Sequence, residues 1–110
     1  MDNMNVSDSH IRASRVNGTA VYGADREKLG TVEDFVVGKV DGQVKYAIMG
    51  FGGVLGLGEE YHTLPWNQLD YDTSLGGYVV NLTRERLEGA PRQGRDAEPN
   101  YAEVDRYYAV

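Results

Sequence analysis

The stretch Tyr46–Trp66, YAIMGFGGVLGLGEEYHTLPW, decides how this chain is read. It opens as an apolar strand, Tyr46-Ala47-Ile48-Met49, and then carries five glycines within nine residues: Gly50, Gly52, Gly53, Gly56 and Gly58. A second strand follows from Glu60 to Leu64 and stops at Pro65-Trp66. Glycine inside a strand pattern marks a bulge, a sharp bend or a close backbone approach, because it lacks the Cβ that forbids them. Phe51, Val54, Leu55 and Leu57 interleave the glycines where a solvated linker would carry Ser or Asn. The expectation is a tightly bent hairpin with a partly apolar tip.

Upstream of it, Ala20-Val21-Tyr22 reads as a short strand and Gly23 to Lys28 as a charged turn. Leu29 to Val37 is rich in β-branched and aromatic residues and is the longest strand candidate. Its alternation is imperfect, and a bulge near Glu33-Asp34 brings Val32 and Phe35 onto one side. Asp41-Gly42 is a hairpin signal joining this strand to the one around Tyr46. Downstream, Gln68 to Tyr71 is a short strand, and Gly76-Gly77 turns the chain into Tyr78–Leu82. Short strands separated by glycine turns favour a small barrel or sandwich.

Thr83 caps a short helix, Arg84 to Glu88, which Gly89 ends, with Pro91 beyond. Residues 92–99 are a polar linker. Asn100, with Glu103 three positions on, starts a second helical pattern that puts Tyr101, Val104 and Tyr108 on one face. Residues 1–11 are polar and unpatterned, which predicts a disordered arm. The organisation expected is therefore an arm over 1–11, a domain over 12–91, and a linker with an aromatic tail over 92–110.

The run Gly50-Phe51-Gly52-Gly53-Val54-Leu55-Gly56-Leu57-Gly58, followed by Leu64-Pro65-Trp66, resembles the centre of a PRC-barrel domain. That small β-barrel is shared by the cytoplasmic part of the photosynthetic reaction-centre H subunit and the C-terminal part of a ribosome maturation protein. Gly18 to Tyr22, Lys28 to Asp34, and Leu82-Thr83 through Leu87 to Ala90-Pro91 agree with it in order, over roughly residues 12–91. The resemblance implies a mainly β fold: a PRC-type barrel of about six short strands with one short helix and a tail that carries a helix signal. Gly30, the five glycines of the central run, Pro65, Trp66 and Pro91 are structural positions in this reading. Family members use the barrel for protein contact, so the resemblance implies an adaptor rather than an enzyme.

A chain of 110 residues fits one domain with a real core. Without cysteine it has no disulfide, thiolate zinc site or cysteine nucleophile. A formal charge of −6 disfavours nucleic-acid and anionic-membrane partners. The longest apolar stretch, Ala47 to Leu57, is too short and glycine-broken to span a bilayer. Met1 to His10 lacks the apolar core of a cleaved signal. The expectation is a bacterial, cytoplasmic protein.

Phosphate-loop chemistry fails on spacing: Leu55 stands where a dinucleotide fingerprint needs its third glycine, and Glu59 where a P-loop needs lysine. Glu59, Glu60 and His62 form an acid–histidine cluster that would need distant carboxylates to complete an ion's ligand set. His10 lies in the arm. Glu33-Asp34 and Asp70/Asp72 read as solvated turn charges, and no serine sits in a nucleophile elbow. Trp66 is expected to seal the core beside the helix Arg84–Glu88. No catalytic residue, metal ligand or cofactor is assigned. Two surfaces remain as interface candidates: the apolar loop with Phe51, Val54, Leu55 and Leu57, and the tail with Tyr101, Val104, Tyr107 and Tyr108. Both suit a homodimer or another protein partner. A small-molecule or metal-binding regulatory domain is the alternative.

Overall fold

In a computed structural model, residues 10–51 and 60–109 are described. Six strands, β1 (Ala20–Tyr22), β2 (Lys28–Val37), β3 (Val44–Phe51), β4 (Glu60–Pro65), β5 (Asp70–Asp72) and β6 (Gly77–Val79), form one mixed sheet in the order β4-β3-β2-β1-β6-β5. Neighbours are antiparallel except β1 and β6, which run parallel. The six short strands of the sequence reading are present. Among the described residues the ladder runs linearly from β4 to β5, without hydrogen bonds that close it into a barrel.

The bulge in β2 lies where the broken alternation put it. Val32 pairs with Met49 and Asp34 with Ile48, leaving Glu33 as the extra residue. Val32 and Phe35 therefore face the same way as Met49 and Ala47, into the core. Gly30 answers to close approach rather than to a turn. A Cβ there would lie 2.0 Å from the carbonyl oxygen of Gly50. Between β2 and β3 the hairpin is longer than a two-residue turn. Its loop is closed by Gly38 N–H donating to Gln43 O at 2.8 Å, with Gly42 at φ +72°.

Four short helical segments complete the chain: α1 (Ala13–Val16), a 3-10 turn (Trp66–Gln68), α2 (Arg84–Glu88) and α3 (Tyr101–Tyr108). The first has no side-chain cap, which is why no sequence signal announces it. The other two α-helices begin as their caps predict. Thr83 Oγ1 accepts from Arg86 N–H at 3.1 Å, and Asn100 Oδ1 accepts from Glu103 N–H at 3.1 Å.

One core joins the sheet, α2 and α3. Val21, Val32, Met49, Leu64 and Leu87 are enclosed, and Val104 of α3 reaches the same cluster. Within residues 92–99, expected as a linker, Gln93 forms an isolated bridge to β4. Gln93 exchanges backbone hydrogen bonds with Tyr61 at 3.2 and 3.0 Å, and its side-chain amide donates to Thr63 Oγ1 at 2.9 Å. This contact covers part of the β4 edge, whose bare N–H and C=O groups would otherwise invite pairing. Among the described residues, no helix is long and apolar enough to cross a membrane.

Candidate interaction surface

Side chains alternate across a strand, so β3 and β4 present two faces. Ala47, Met49, His62 and Leu64 point inward, whereas Tyr46 lies opposite Pro65 and Ile48 opposite Thr63 on the other side. Helix α3 meets that second face. The Tyr101 ring lies 4.9 Å from the Tyr46 ring at 32°, and Tyr46 Oη donates to Asp105 Oδ1 at 2.8 Å. Desolvation first, and Asp105 second, raise the Tyr46 phenol above its ordinary pKa. Desolvation, with Glu98 accepting from Tyr101 Oη at 2.9 Å, pushes Tyr101 up to about 12.

Between β3, the Pro65–Asn67 corner and α3 lies an open groove of about 340 Å³, with Tyr46, Trp66 and Asp105 in its lining. Trp66 is partly buried and meets Tyr78 edge-on at 5.5 Å, and Tyr78 meets Tyr71 at 5.3 Å. Two sets of rings therefore meet at this groove, Tyr101 with Tyr46 and Trp66 with Tyr78 and Tyr71, the last 55% exposed. Trp66, expected to seal the core, packs against it but is half-buried rather than enclosed. It starts the 3-10 corner directly after Pro65 and lines the groove there.

Of the expected apolar loop, only Phe51 is described. It is buried, edge-on to the His62 ring at 5.3 Å, with the Arg84 guanidinium 5.5 Å from its centroid. Val54, Leu55 and Leu57, together with Gly52, Gly53, Gly56 and Gly58, lie outside the described residues. In the tail, Val104 and Tyr108 turn into the chain's own core. Tyr107 is clamped to α2: its hydroxyl donates to Arg86 O at 2.5 Å, Arg86 Nη2 donates to Tyr107 O at 2.7 Å, and the guanidinium stands 4.1 Å over the ring. Tyr101 keeps part of its surface beside Tyr46.

The remaining candidates are held locally. His62 is fully enclosed, with Nδ1 3.0 Å from Pro91 O. A carbonyl only accepts, so Nδ1 carries the proton and Nε2 is left without a partner. Burial lowers the His62 pKa, and the Pro91 bond and Glu60 oppose that shift. Glu60 pairs with Arg92 at 3.3 Å, and Glu59 lies outside the described residues. No group of three or more His, Asp or Glu side chains suited to a metal occurs among the described residues. Asp72 is held at about 2 by the Ser74 hydroxyl and then by Arg26, whose guanidinium lies 2.7 Å away. Glu33 accepts from Thr31 Oγ1 at 2.9 Å and Asp34 from the Phe35 N–H at 2.8 Å. A wider groove of about 640 Å³ between α2 and α3 is lined by both signs of charge, Glu88 and Glu103 with Arg92 and Arg106. Neither Tyr46 nor Asp105 was singled out by the sequence. Tyr46 is legible as a residue opposite Pro65 once the hairpin register is drawn, but Asp105 comes near only through the docking of α3.

Six short strands around one core, with a capped helix and a docked tail, define a small β domain. The family described as PRC-barrel domain matches residues 8–87, and the chain belongs to it. The match ends within α2, so α3 lies beyond the matched segment. No curated protein matches the chain. Among solved structures, a Pseudomonas aeruginosa protein assigned to 16S ribosomal RNA processing, RimM, is similar with a TM-score of 0.44 and 18% identity. The similarity covers 68% of this chain and 45% of that one, so the chain spans less than half the length of the RimM structure.

Proposed function

We propose that the domain is a non-catalytic protein-interaction module, an adaptor of the PRC-barrel type that also self-associates. The observation that carries the reading is an open groove lined by the partly exposed rings of Tyr46 and Trp66, with Tyr101 stacked on Tyr46 and the exposed Tyr71 linked to Trp66 through Tyr78. Tyrosine and tryptophan combine apolar area with a polar handle at small entropic cost, and are enriched where proteins meet. Of the paired carboxylates, Glu33 and Asp34 accept local hydrogen bonds within β2, and Asp72 is paired with Arg26.

Self-association is assigned to the loop beyond Phe51, through Val54, Leu55 and Leu57. The docking of Val104 and Tyr108 in the chain's own core supports the loop over the tail as that surface. Light scattering on the intact chain and on Leu55→Asp tests this. A dimer mass that falls to monomer in the variant is the expected result, and an intact chain that is monomeric at high micromolar concentration overturns self-association. Crosslinked capture from the source cell tests the adaptor role. A stoichiometric protein partner is expected, and a chain that crosslinks to nothing overturns it.

A further inference from the structure

Asp105 stands at an aromatic groove with no cation paired to it among the described residues. Its Oδ1 accepts from the Tyr46 hydroxyl at 2.8 Å, and no Lys or Arg of the described residues lies within ion-pair distance of it. Lys45 lines the same groove but is committed to Asp41 at 2.8 Å. Tyr46, Trp66 and Asn67 line it together with Asp105. These rings are already fixed, Tyr46 by Tyr101 and Asp105, and Trp66 by Tyr78, so little ordering is needed on binding.

A carboxylate beside aromatic rings is the complement of one side chain above others. Guanidinium is flat and weakly hydrated; it stacks on aromatic faces and forks onto a carboxylate, whereas the ammonium of lysine is compact and strongly hydrated. The chain's formal charge of −6 adds long-range attraction for a basic partner. We propose that this groove docks an arginine side chain of a partner protein, stacked against Trp66 and Tyr46 and paired with Asp105. The inference rests on the interaction-module reading and adds to it the chemistry of the partner's anchor.

Trp66 is the only tryptophan in the chain, so its emission reports on this groove directly. The intact protein is titrated with an acetylated, amidated Gly-Arg-Gly peptide, and in parallel with the same peptide carrying citrulline, a neutral isostere of arginine. A saturable change in Trp66 emission is expected for arginine, with citrulline weaker by about five- to tenfold, the range of a partly exposed ion pair with ring stacking. Asp105→Asn keeps an acceptor for Tyr46 and should weaken the arginine response by a similar factor at unchanged melting temperature. Equal responses to arginine and citrulline, or an Asp105→Asn protein that binds like the parent, overturn the proposal. Light scattering supplies the other arm: a dimer that Asp105→Asn dissociates would place the arginine on a second copy and overturn the assignment to a different protein. A captured partner whose binding survives Asp105→Asn sinks the groove and leaves the module reading standing. Absence of both partner and arginine response sinks both.

Discussion

The two faces of the β3–β4 pair differ in nearly every physical respect, although they alternate along the same residues. On the inner face Ala47, Met49 and Leu64 are wholly enclosed, and the one enclosed polar ring beside them, His62, is tied down through a single nitrogen. On the outer face Tyr46, Thr63 and Tyr61 engage partners distant in sequence: Asp105, the Gln93 amide and the Gln93 backbone. The inner face is held by removal of apolar surface from water, which is strong and indifferent to direction. The outer face adds directional hydrogen bonds and ring contacts to the burial of Tyr61, Thr63 and the α3 residues Val104 and Tyr108, and it leaves a groove open only beside Tyr46 and Trp66. A strand can therefore carry stability on one side and a recognition surface on the other without compromise.

The strongest way to test that division is to truncate an inner residue. Leu64→Ala should destabilise the domain by about 2–5 kcal/mol, the range for deleting an enclosed leucine. Chemical denaturation reads it, and a loss below about 1 kcal/mol would mean that the inner face is not the main source of stability.

Acid should expose the one weak point of the inner face. The folded-state pKa of His62 lies below its ordinary value of 6.5 because burial disfavours the imidazolium. Below that value the unfolded chain takes up the proton more readily than the folded one. The stabilising contribution is thus complete above 6.5 and is lost as the pH falls from there toward the folded-state pKa. Melting curves between about pH 7.5 and about pH 5 should show a fall that is flatter in His62→Gln; equal slopes would remove His62 as the cause.

Trp66→Ala should cost about 1–3 kcal/mol, less than the 3–5 kcal/mol typical of a fully enclosed aromatic, because Trp66 is half-buried rather than enclosed. Native emission near the wavelength of a partly solvated indole is the companion measurement. A cost at or above that of Leu64→Ala would restore Trp66 to the core.

Tyr46→Phe, which removes only the hydroxyl donated to Asp105, should give the smallest change. About 0.5–1.5 kcal/mol is expected from one hydrogen bond at a partly exposed site. A larger loss would show that the docking of α3 depends on this bond more than on the burial of Val104 and Tyr108.

Much of the fold was legible because it is set by local rules. The bulge at Glu33 follows from broken alternation, the starts of α2 and α3 from Thr83 and Asn100, and the β2–β3 hairpin from Asp41-Gly42. The aromatic face of α3 was equally readable, since Tyr101, Val104 and Tyr108 recur at helical spacing. Its destination was not. An apolar stripe states that it must be buried, but it carries no information on whether its own sheet or another chain will bury it.

By itself, then, the sequence determined the family, the strand count and the starts of α2 and α3, because hydrophobic period, glycine and capping residues act within a few neighbours. Only the tertiary structure decided that Gln93 and α3 lie back on the sheet, that Trp66 is left at a groove, and that Asp105 reaches Tyr46 across 59 positions. Those outcomes depend on contacts between segments far apart in the chain, and their partners are chosen by shape and residual surface after the strands have paired.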